Sequence, residues 1–351
     1  MFRGKTVLLS AESGIPQAAA MLRAGGTVAF PTETVYGLGA NALDAGAVAK
    51  IFEAKQRPGW DPLIVHVCDE AMLSRVAEIS GDFAARVKEL KAAFWPGPLT
   101  LLLPRTRAVP DLVTSGRPLV GVRMPAHPVA LELIRTAGVP LAAPSANRFG
   151  RTSPTTAAHV LEDLDGRIDA VLDGGPTRVG VESTVIGRSE DGLRWVMYRP
   201  GGVSKEMLES VCGAGSVEMF RPAEMMGAPE SLPSPGVGMR HYAPHARLVL
   251  AQEISRYRGP VEQALIPVIE EVSEAGVKIG VMLPDGWDSS CAAFVYRWGP
   301  WSDGETLARR LFAGLRELDE AGASVIVCPV PEMGGIGEAI RDRLRKAAQV
   351  K

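Results

Sequence analysis

Pro31-Thr32-Glu33-Thr34-Val35-Tyr36-Gly37-Leu38-Gly39 stands between an apolar strand, Thr27 to Phe30, and an amphipathic segment, Asp44 to Ala54. In that segment Val48, Ile51 and Phe52 recur at helical spacing, so the order reads strand, polar loop, helix. The loop offers hydroxyls, one carboxylate and two glycines, a set able to surround a small zwitterion. The helix then ends on Lys55-Gln56-Arg57-Pro58. Arg57 brings a fixed fork of donors and Lys55 a point charge, both suited to phosphate. The plainer alternative is a surface turn after a helix whose last turn is cationic, as the macrodipole favours.

With 351 residues the chain has room for two domains of roughly 100–200 residues each. Hydrophobic content of 46% and charged content of 22% are those of a globular protein, and no apolar run approaches the ~20 residues of a membrane span. Met1-Phe2-Arg3-Gly4-Lys5 leads into a piece too short for a signal sequence, so a cytoplasmic protein is expected, with no membrane partner. Cys68, Cys212, Cys291 and Cys328 form no C-x-x-C pair, which points to buried free thiols and to neither a zinc site nor a disulfide framework. A net charge of −2 argues against gripping nucleic acid over a wide surface, so any tRNA contact is expected to be weak and local.

Along the chain, Ile15 to Arg23 reads as a helix closed by Gly25-Gly26, and Leu63 to Val67 as a buried strand. His66 alternates with Val65 and Val67 in that strand, which leaves it either a satisfied structural group or a ligand contact facing the cleft. Helices Met72 to Glu78 and Phe83 to Phe94 stop at Trp95-Pro96-Gly97-Pro98. Strands are expected at Leu99 to Leu103 and Leu119 to Met124. The second carries Arg123, whose charge calls for a structural carboxylate or for a ligand carboxylate held by two parallel hydrogen bonds. Val139 to Asn147 repeats the opening design, an apolar strand running into a loop of small residues, with Ser145 and Asn147 as donors and Arg151-Thr152-Ser153 beyond. A helix through Leu161, a strand Ile168 to Leu172 and strands Val181 to Ile186 and Leu193 to Arg199 follow. Neither a Walker A nor a Rossmann fingerprint occurs here.

Phe-Pro-Thr-Glu-Thr-Val-Tyr-Gly-Leu, Lys-x-Arg-Pro, Pro-Leu-Ile-Val-His, Trp-Pro-Gly-Pro-Leu-Thr, Val-Arg-Met-Pro, Ala-Pro-Ser-Ala-Asn, Gly-Val-Glu-Ser-Thr-Val and Arg-Pro-Gly occur in this order between about residues 15 and 205. Together they resemble the YrdC family of threonylcarbamoyl-AMP synthases. The family's Lys-x-Arg and Ser-x-Asn signature falls on Lys55, Arg57, Ser145 and Asn147, the residues the resemblance implies as catalytic. It implies a twisted mixed α/β domain with a concave cleft, and a reaction of L-threonine, bicarbonate and ATP to threonylcarbamoyl-adenylate and pyrophosphate. That product serves tRNA modification next to the anticodon through downstream tRNA threonylcarbamoyltransferase proteins. By the same resemblance Thr34, His66, Arg123, Ala143 and Ser183 surround threonine. Lys55, Arg57, Asp61, Thr114, Ser145, Asn147, Ser153 and Arg199 surround ATP, which carries magnesium held by phosphate oxygens and water rather than by protein side chains. At position 61 the family usually has asparagine, and an acid there would repel a triphosphate.

From Cys212 to Pro244 periodicity fades, and the segment reads as a linker ending in Arg240-His241-Tyr242-Ala243-Pro244. The long form of the family carries a similar linker, which implies a lid bringing His241 or Tyr242 to ATP; the alternative is a docked linker. Domain limits are therefore expected at 1–211, 212–245 and 246–351. The last domain alternates strands and helices as a small parallel, Rossmann-like sheet. Its Gly334-Gly335-Ile336-Gly337 is either a structural turn or an anion site at a helix start. The competing function is a double-stranded RNA or tRNA-binding module without catalysis. A hydrogenase-maturation carbamoyltransferase is excluded by the missing zinc-finger cysteines.

Overall fold

The computed structural model describes residues 4–221, 231–234, 236, 241–251, 260, 263–274, 276–288 and 292–349. Arg240, Cys291 and part of the expected linker lie outside them. The chain divides into two compact units, one of residues 1–149, 153–178 and 182–238, the other of residues 150–152, 179–181 and 239–351.

In the first unit the strands are β1 Val7–Ser10, β2 Val28–Phe30, β3 Gly37–Asn41, β4 Ile64–His66, β5 Leu99–Pro104, β6 Leu119–Arg123, β7 Leu141–Ala142, β8 Ala170–Asp173, β9 Thr184–Arg188, β10 Trp195–Arg199 and β11 Val217–Met219. They form one mixed sheet in the order β1-β8-β2-β3-β7-β4-β6-β5-β9-β10-β11. Three features of this order place the site. β2 and β3 are antiparallel, so the stretch 31–36 is the connection at their shared end. β7 is antiparallel to both β3 and β4. β4 runs parallel to β6 with His66 opposite Arg123, which puts both side chains on one face of the sheet.

β3 is a correction to the sequence reading, which took Gly37-Leu38-Gly39 for loop. Glycines depress strand propensity, but here the lack of a side chain is what lets the strand close on β2: a Cβ on Gly39 would lie 2.7 Å from the Phe30 ring. Asp44 is the N-cap of the following helix, Ala45–Lys55, its carboxylate accepting from the N–H groups of Gly46 and Ala47. Val48, Ile51 and Ala54 are the buried face of that helix. The expected strand from Val181 starts instead at Thr184, leaving Val181–Ser183 as loop. Strand β11 arises within the stretch read as linker, parallel to β10. The core of the unit runs from Leu9 through Phe30, Ile51, Leu101 and Leu133 to Trp195 and Val217.

The second unit has strands β12 Arg247–Ala251, β13 Ile279–Pro284, β14 Phe294–Gly299 and β15 Val325–Pro329, in the order β12-β15-β13-β14 with every pair parallel. The expected parallel sheet is therefore present. Helices Gly304–Glu320 and Gly337–Ala347 bury Leu307, Leu311, Phe312, Ile340 and Leu344. The helix expected over 260–275 is described only as Ile266–Glu271. Gly334 and Gly335 both adopt positive φ before the last helix.

Candidate active site

Two loops of the first unit are joined by backbone hydrogen bonds. Leu38 N donates to Pro144 O, Ala146 N to Tyr36 O and Tyr36 N to Pro154 O, at 2.8, 2.8 and 2.9 Å. The loop after β2 is thus laced to the loop after β7. Lys55 reaches this seam from the end of its helix. Its ammonium donates to Ser145 O at 2.6 Å and Asn147 O at 2.5 Å, two of its three donors. The residue is 1% exposed, so the alternative of a solvated helix end does not hold. Burial, then the charge of Arg57, lower its pKa well below the usual lysine value, against the opposing pull of Asp163, Asp61 and Glu182.

Arg57 is also buried. It donates to Asp61 O at 3.0 Å and Pro62 O at 2.8 Å, while its Nη2 lies 2.9 Å from the Asp61 carboxylate. The acid at position 61 is therefore the counter-ion of Arg57. Leu63 N donates to Val113 O, which brings the short helix Asp111–Thr114 beside this turn. Thr114 ends that helix with a buried hydroxyl that has no hydrogen-bond partner among the described residues.

A second group surrounds Arg123. Its Nε donates to Gly97 O at 3.1 Å, Nη1 donates to Thr34 Oγ1 at 2.9 Å, and Nη2 lies 2.7 Å from Glu33 Oε1. His66, opposite it on β4, is 3% exposed; burial and then the Arg123 charge push its pKa down to about 3, so the ring is neutral. Ala143 N donates to Ile64 O at 2.8 Å, placing the start of the Ser-Ala-Asn loop alongside β4. In a third group, Arg199 at the end of β10 donates through Nε and Nη2 to Ser183 O at 3.0 and 2.9 Å and through Nη2 to Ser183 Oγ at 3.1 Å. Thr100 shares a 2.8 Å hydrogen bond with Ser183 Oγ, and Ser153 donates to Glu182 at 2.5 Å. Gly201 makes this loop possible: a Cβ there would sit 2.3 Å from Glu182 O and Thr184 N.

Charged and hydroxyl groups from segments far apart in the sequence are thus buried together in clusters of the first unit, and the motifs that deliver them recur elsewhere. The sequence family described as "Telomere recombination", the Sua5, YciO and YrdC group, matches residues 20–201, and the family described as "Threonylcarbamoyl-AMP synthase, C-terminal domain" matches residues 203–349. The threonylcarbamoyl-AMP synthase of Pyrococcus abyssi is 44% identical over 94% of this chain and 93% of its own length. That of Bacillus subtilis is 44% identical over 95% of this chain and 92% of its own.

The chain belongs to the threonylcarbamoyl-AMP synthase family.

The crystal structure of Pyrococcus abyssi Sua5 complexed with L-threonine matches it with a TM-score of 0.87 at 42% identity, covering 98% of each chain.

Within this synthase fold the two linker residues lie in the second unit. Tyr242 is 3% exposed and takes a φ of 65°. Its ring stacks on Phe312 at 5.7 Å between centroids, with the Arg343 guanidinium 5.0 Å from its centre. His241 is buried beside it, the two rings 5.0 Å apart.

Sequence reading gave no role to three groups that the structure brings to these clusters. Glu33 was noted only as the carboxylate of its loop, and Glu182 only within a motif. Thr100 was passed over inside an apolar strand. A lone hydroxyl within Leu99-Thr100-Leu101-Leu102-Leu103 was the available signal for it, since a buried hydroxyl needs a partner. Among the described residues no helix is long and apolar enough to cross a membrane.

Proposed function

We infer that this chain condenses L-threonine with bicarbonate and then with ATP, forming threonylcarbamoyl-adenylate and pyrophosphate for tRNA modification. Beyond family membership, the observation that carries this reading is the set of buried cations on one domain, Lys55, Arg57, Arg123 and Arg199, each oriented by backbone carbonyls. The reaction brings two anions together, a carbamate and a triphosphate, and fixed cations reduce their repulsion and stabilise charge on the transferred phosphoryl group.

L-Threonine places its carboxylate on Arg123, with Thr34, His66, Ala143 and Ser183 about it. The unprotonated amine attacks the carbon of bicarbonate with loss of water, and the resulting carbamate oxygen attacks the α-phosphorus of ATP, displacing pyrophosphate. Lys55, Arg57, Thr114, Ser145, Asn147, Ser153 and Arg199 hold the nucleotide; Lys55 also fixes the Ser145–Asn147 loop that presents its donors. Magnesium neutralises part of the triphosphate charge. The ion would travel on phosphate oxygens and water, as Mg²⁺ commonly does. His241 and Tyr242 act at ATP by way of the linker. The substrates and the tRNA threonylcarbamoyltransferase proteins that take the product suit a cytoplasmic enzyme, with at most a weak contact to tRNA itself. A pure RNA-binding module would need its cations at the surface to meet phosphates, and these four are buried.

The test is incubation of the full chain with ATP, magnesium, bicarbonate and L-threonine, reading pyrophosphate and adenylate by mass spectrometry. Product that requires both threonine and bicarbonate, and that serine does not replace, is expected. Folded, ATP-binding protein that gives none would refute the reading.

A further inference from the structure

Glu33 is fixed at the backbone on either side of its carboxylate. Thr32 Oγ1 donates to Val35 O at 2.6 Å and accepts from the N–H groups of Thr34 and Val35, while Arg178 N donates to Glu33 O at 3.1 Å. The turn so formed leaves the side chain 7% exposed, directed at Arg123. Oε1 lies 2.7 Å from Arg123 Nη2, and Oε2, equally buried, has no hydrogen-bond partner among the described residues. A second buried polar atom is in the same condition: His66 Nδ1 has no hydrogen-bond partner among the described residues, and its residue stands opposite Arg123 on the neighbouring strand.

Arg123 itself is only partly used. Of its five N–H donors, one is hydrogen-bonded to Gly97 and one to Thr34, while Nη2 stands in ion-pair contact with Glu33 Oε1 and has no hydrogen-bond partner among the described residues, so the guanidinium retains donors for an anion. The cluster therefore has donors left over on a cation and an acceptor left over on a carboxylate, beside a neutral imidazole with one unpartnered nitrogen. The ligand that fills both deficits carries a carboxylate and a charged amine on adjacent atoms. Buried polar atoms without partners are rare in folded proteins, and two beside one cation mark a place built for a ligand's donors.

We propose that Glu33 is a substrate-binding residue that recognises the α-ammonium group of the amino acid, Oε2 accepting its N–H while Arg123 holds its carboxylate. This deepens the threonine-site reading above and rests on it. Before substrate enters, Glu33 is the counter-ion that keeps Arg123 in place. A carboxylic acid lacking the amine leaves Oε2 unpaired and adds a second negative charge beside it, so the pair selects zwitterions over simple acids. To react, the ammonium first releases one proton to solvent, and a second leaves in the water expelled as the amine attacks the bicarbonate carbon; the carbamate nitrogen then retains one N–H for Oε2 but has lost its positive charge, and the new carbamate anion is repelled by Glu33.

Calorimetric titration of the full chain without ATP tests this. The ligands are L-threonine and its deaminated analogue (2S,3R)-2,3-dihydroxybutanoate, and the proteins are wild type, Glu33→Gln and Glu33→Asp. Wild type should prefer threonine by more than about 100-fold, because a buried group built to pair with the amine rejects a ligand lacking it. Glu33→Gln should lose most of that preference, with weaker threonine binding and unchanged or tighter binding of the acid. A parallel loss for both ligands would overturn the proposal, because it is what a residue that merely positions Arg123 would give; so would unchanged threonine affinity. If Glu33→Gln fails to fold by circular dichroism, Glu33→Asp, which keeps the charge but withdraws it by one methylene, decides: a loss confined to threonine supports the proposal and an equal loss for both ligands overturns it. Wild-type protein that binds no threonine would overturn the synthase reading as well, a result distinct from threonine binding that is indifferent to Glu33.

Discussion

Lowering the pH from 7 to 5 perturbs one buried group of the threonine site in a way that can be worked out. His66 has a folded pKa near 3 instead of 6.5, because it is buried and faces Arg123. Its folded-state pKa is depressed, so below pH 6.5 the unfolded chain takes up a proton that the folded chain refuses. Stability is lost as pH falls from about 6.5 towards 3. For these two values the linkage integral gives about 0.2 kcal/mol lost at pH 7 and about 2 kcal/mol at pH 5, a difference of about 2 kcal/mol from this one ring. His127, also lowered by burial and by Arg178, adds a contribution of the same sign. The effect of His66 is isolated by comparing urea unfolding of wild type and His66→Asn at the two pH values: the variant should lose about 2 kcal/mol less. Ring-resonance titration by NMR is the direct check. A His66 resonance that titrates near 6.5 in folded protein, or equal pH dependence in the two proteins, would refute the reasoning.

Other substitutions test the remaining parts of the site. Lys55→Met leaves the carbonyls of Ser145 and Asn147 without their donor, roughly 1–3 kcal/mol each, so a drop of about 2–6 kcal/mol in denaturation and a fall in adenylate formation are expected. An unchanged melting temperature would contradict the tether. Arg123→Gln strands Glu33 as a buried charge at a cost of about 3–5 kcal/mol, and adding Glu33→Gln should restore part of it; strictly additive losses in a double-mutant cycle would deny the pair. The same Arg123 variant should raise the KM for threonine, and a wild-type KM would refute its place at the carboxylate. Asp61→Asn removes one negative charge beside Arg57 while leaving an oxygen to accept from it, so the KM for ATP should fall roughly fivefold. A KM that stays level or rises would mean that the charge of Asp61 does not act on the nucleotide.

What was legible in the sequence follows periodicity, and what was not follows long-range pairing. The helix Ala45–Lys55 showed its face through Val48 and Ile51, and its cap through Asp44. The parallel sheet of the second unit was visible in the alternation of apolar runs and helical segments. Strand β3 was hidden because Gly37-Leu38-Gly39 has little β-propensity; it forms because β2 and β7 flank it and Phe30 fills the space above Gly39. For Arg123 the sequence left a structural carboxylate and a ligand carboxylate open. The structure supplies the first, Glu33, 90 positions away, and still leaves N–H groups for the second. Lys55 and Arg57 read as phosphate ligands or as a surface turn, and no local pattern could show that Lys55 is buried against the distant carbonyls of Ser145 and Asn147.

The manner of that burial bears on catalysis. Were these cations held mainly by carboxylates, each would be neutralised and the site would offer a triphosphate little net attraction. Carbonyl oxygens orient a cation while leaving its charge in place. Lys55 is held by Ser145 and Asn147, Arg57 by Asp61 and Pro62, Arg123 by Gly97 and Arg199 by Ser183, all through backbone oxygen. Carboxylates stand in ion-pair contact with Arg57, as Asp61, and with Arg123, as Glu33. Of these, Glu33 stands where the proposed substrate brings its own positive charge, and Asp61 occupies the position at which an asparagine would leave Arg57 fully charged. Donors held in place beforehand by backbone oxygen are what a step joining two anions requires, since no reorientation is then needed as charge develops. The two acidic exceptions are accordingly where single substitutions should shift substrate preference and nucleotide affinity without dismantling the frame that holds the cations.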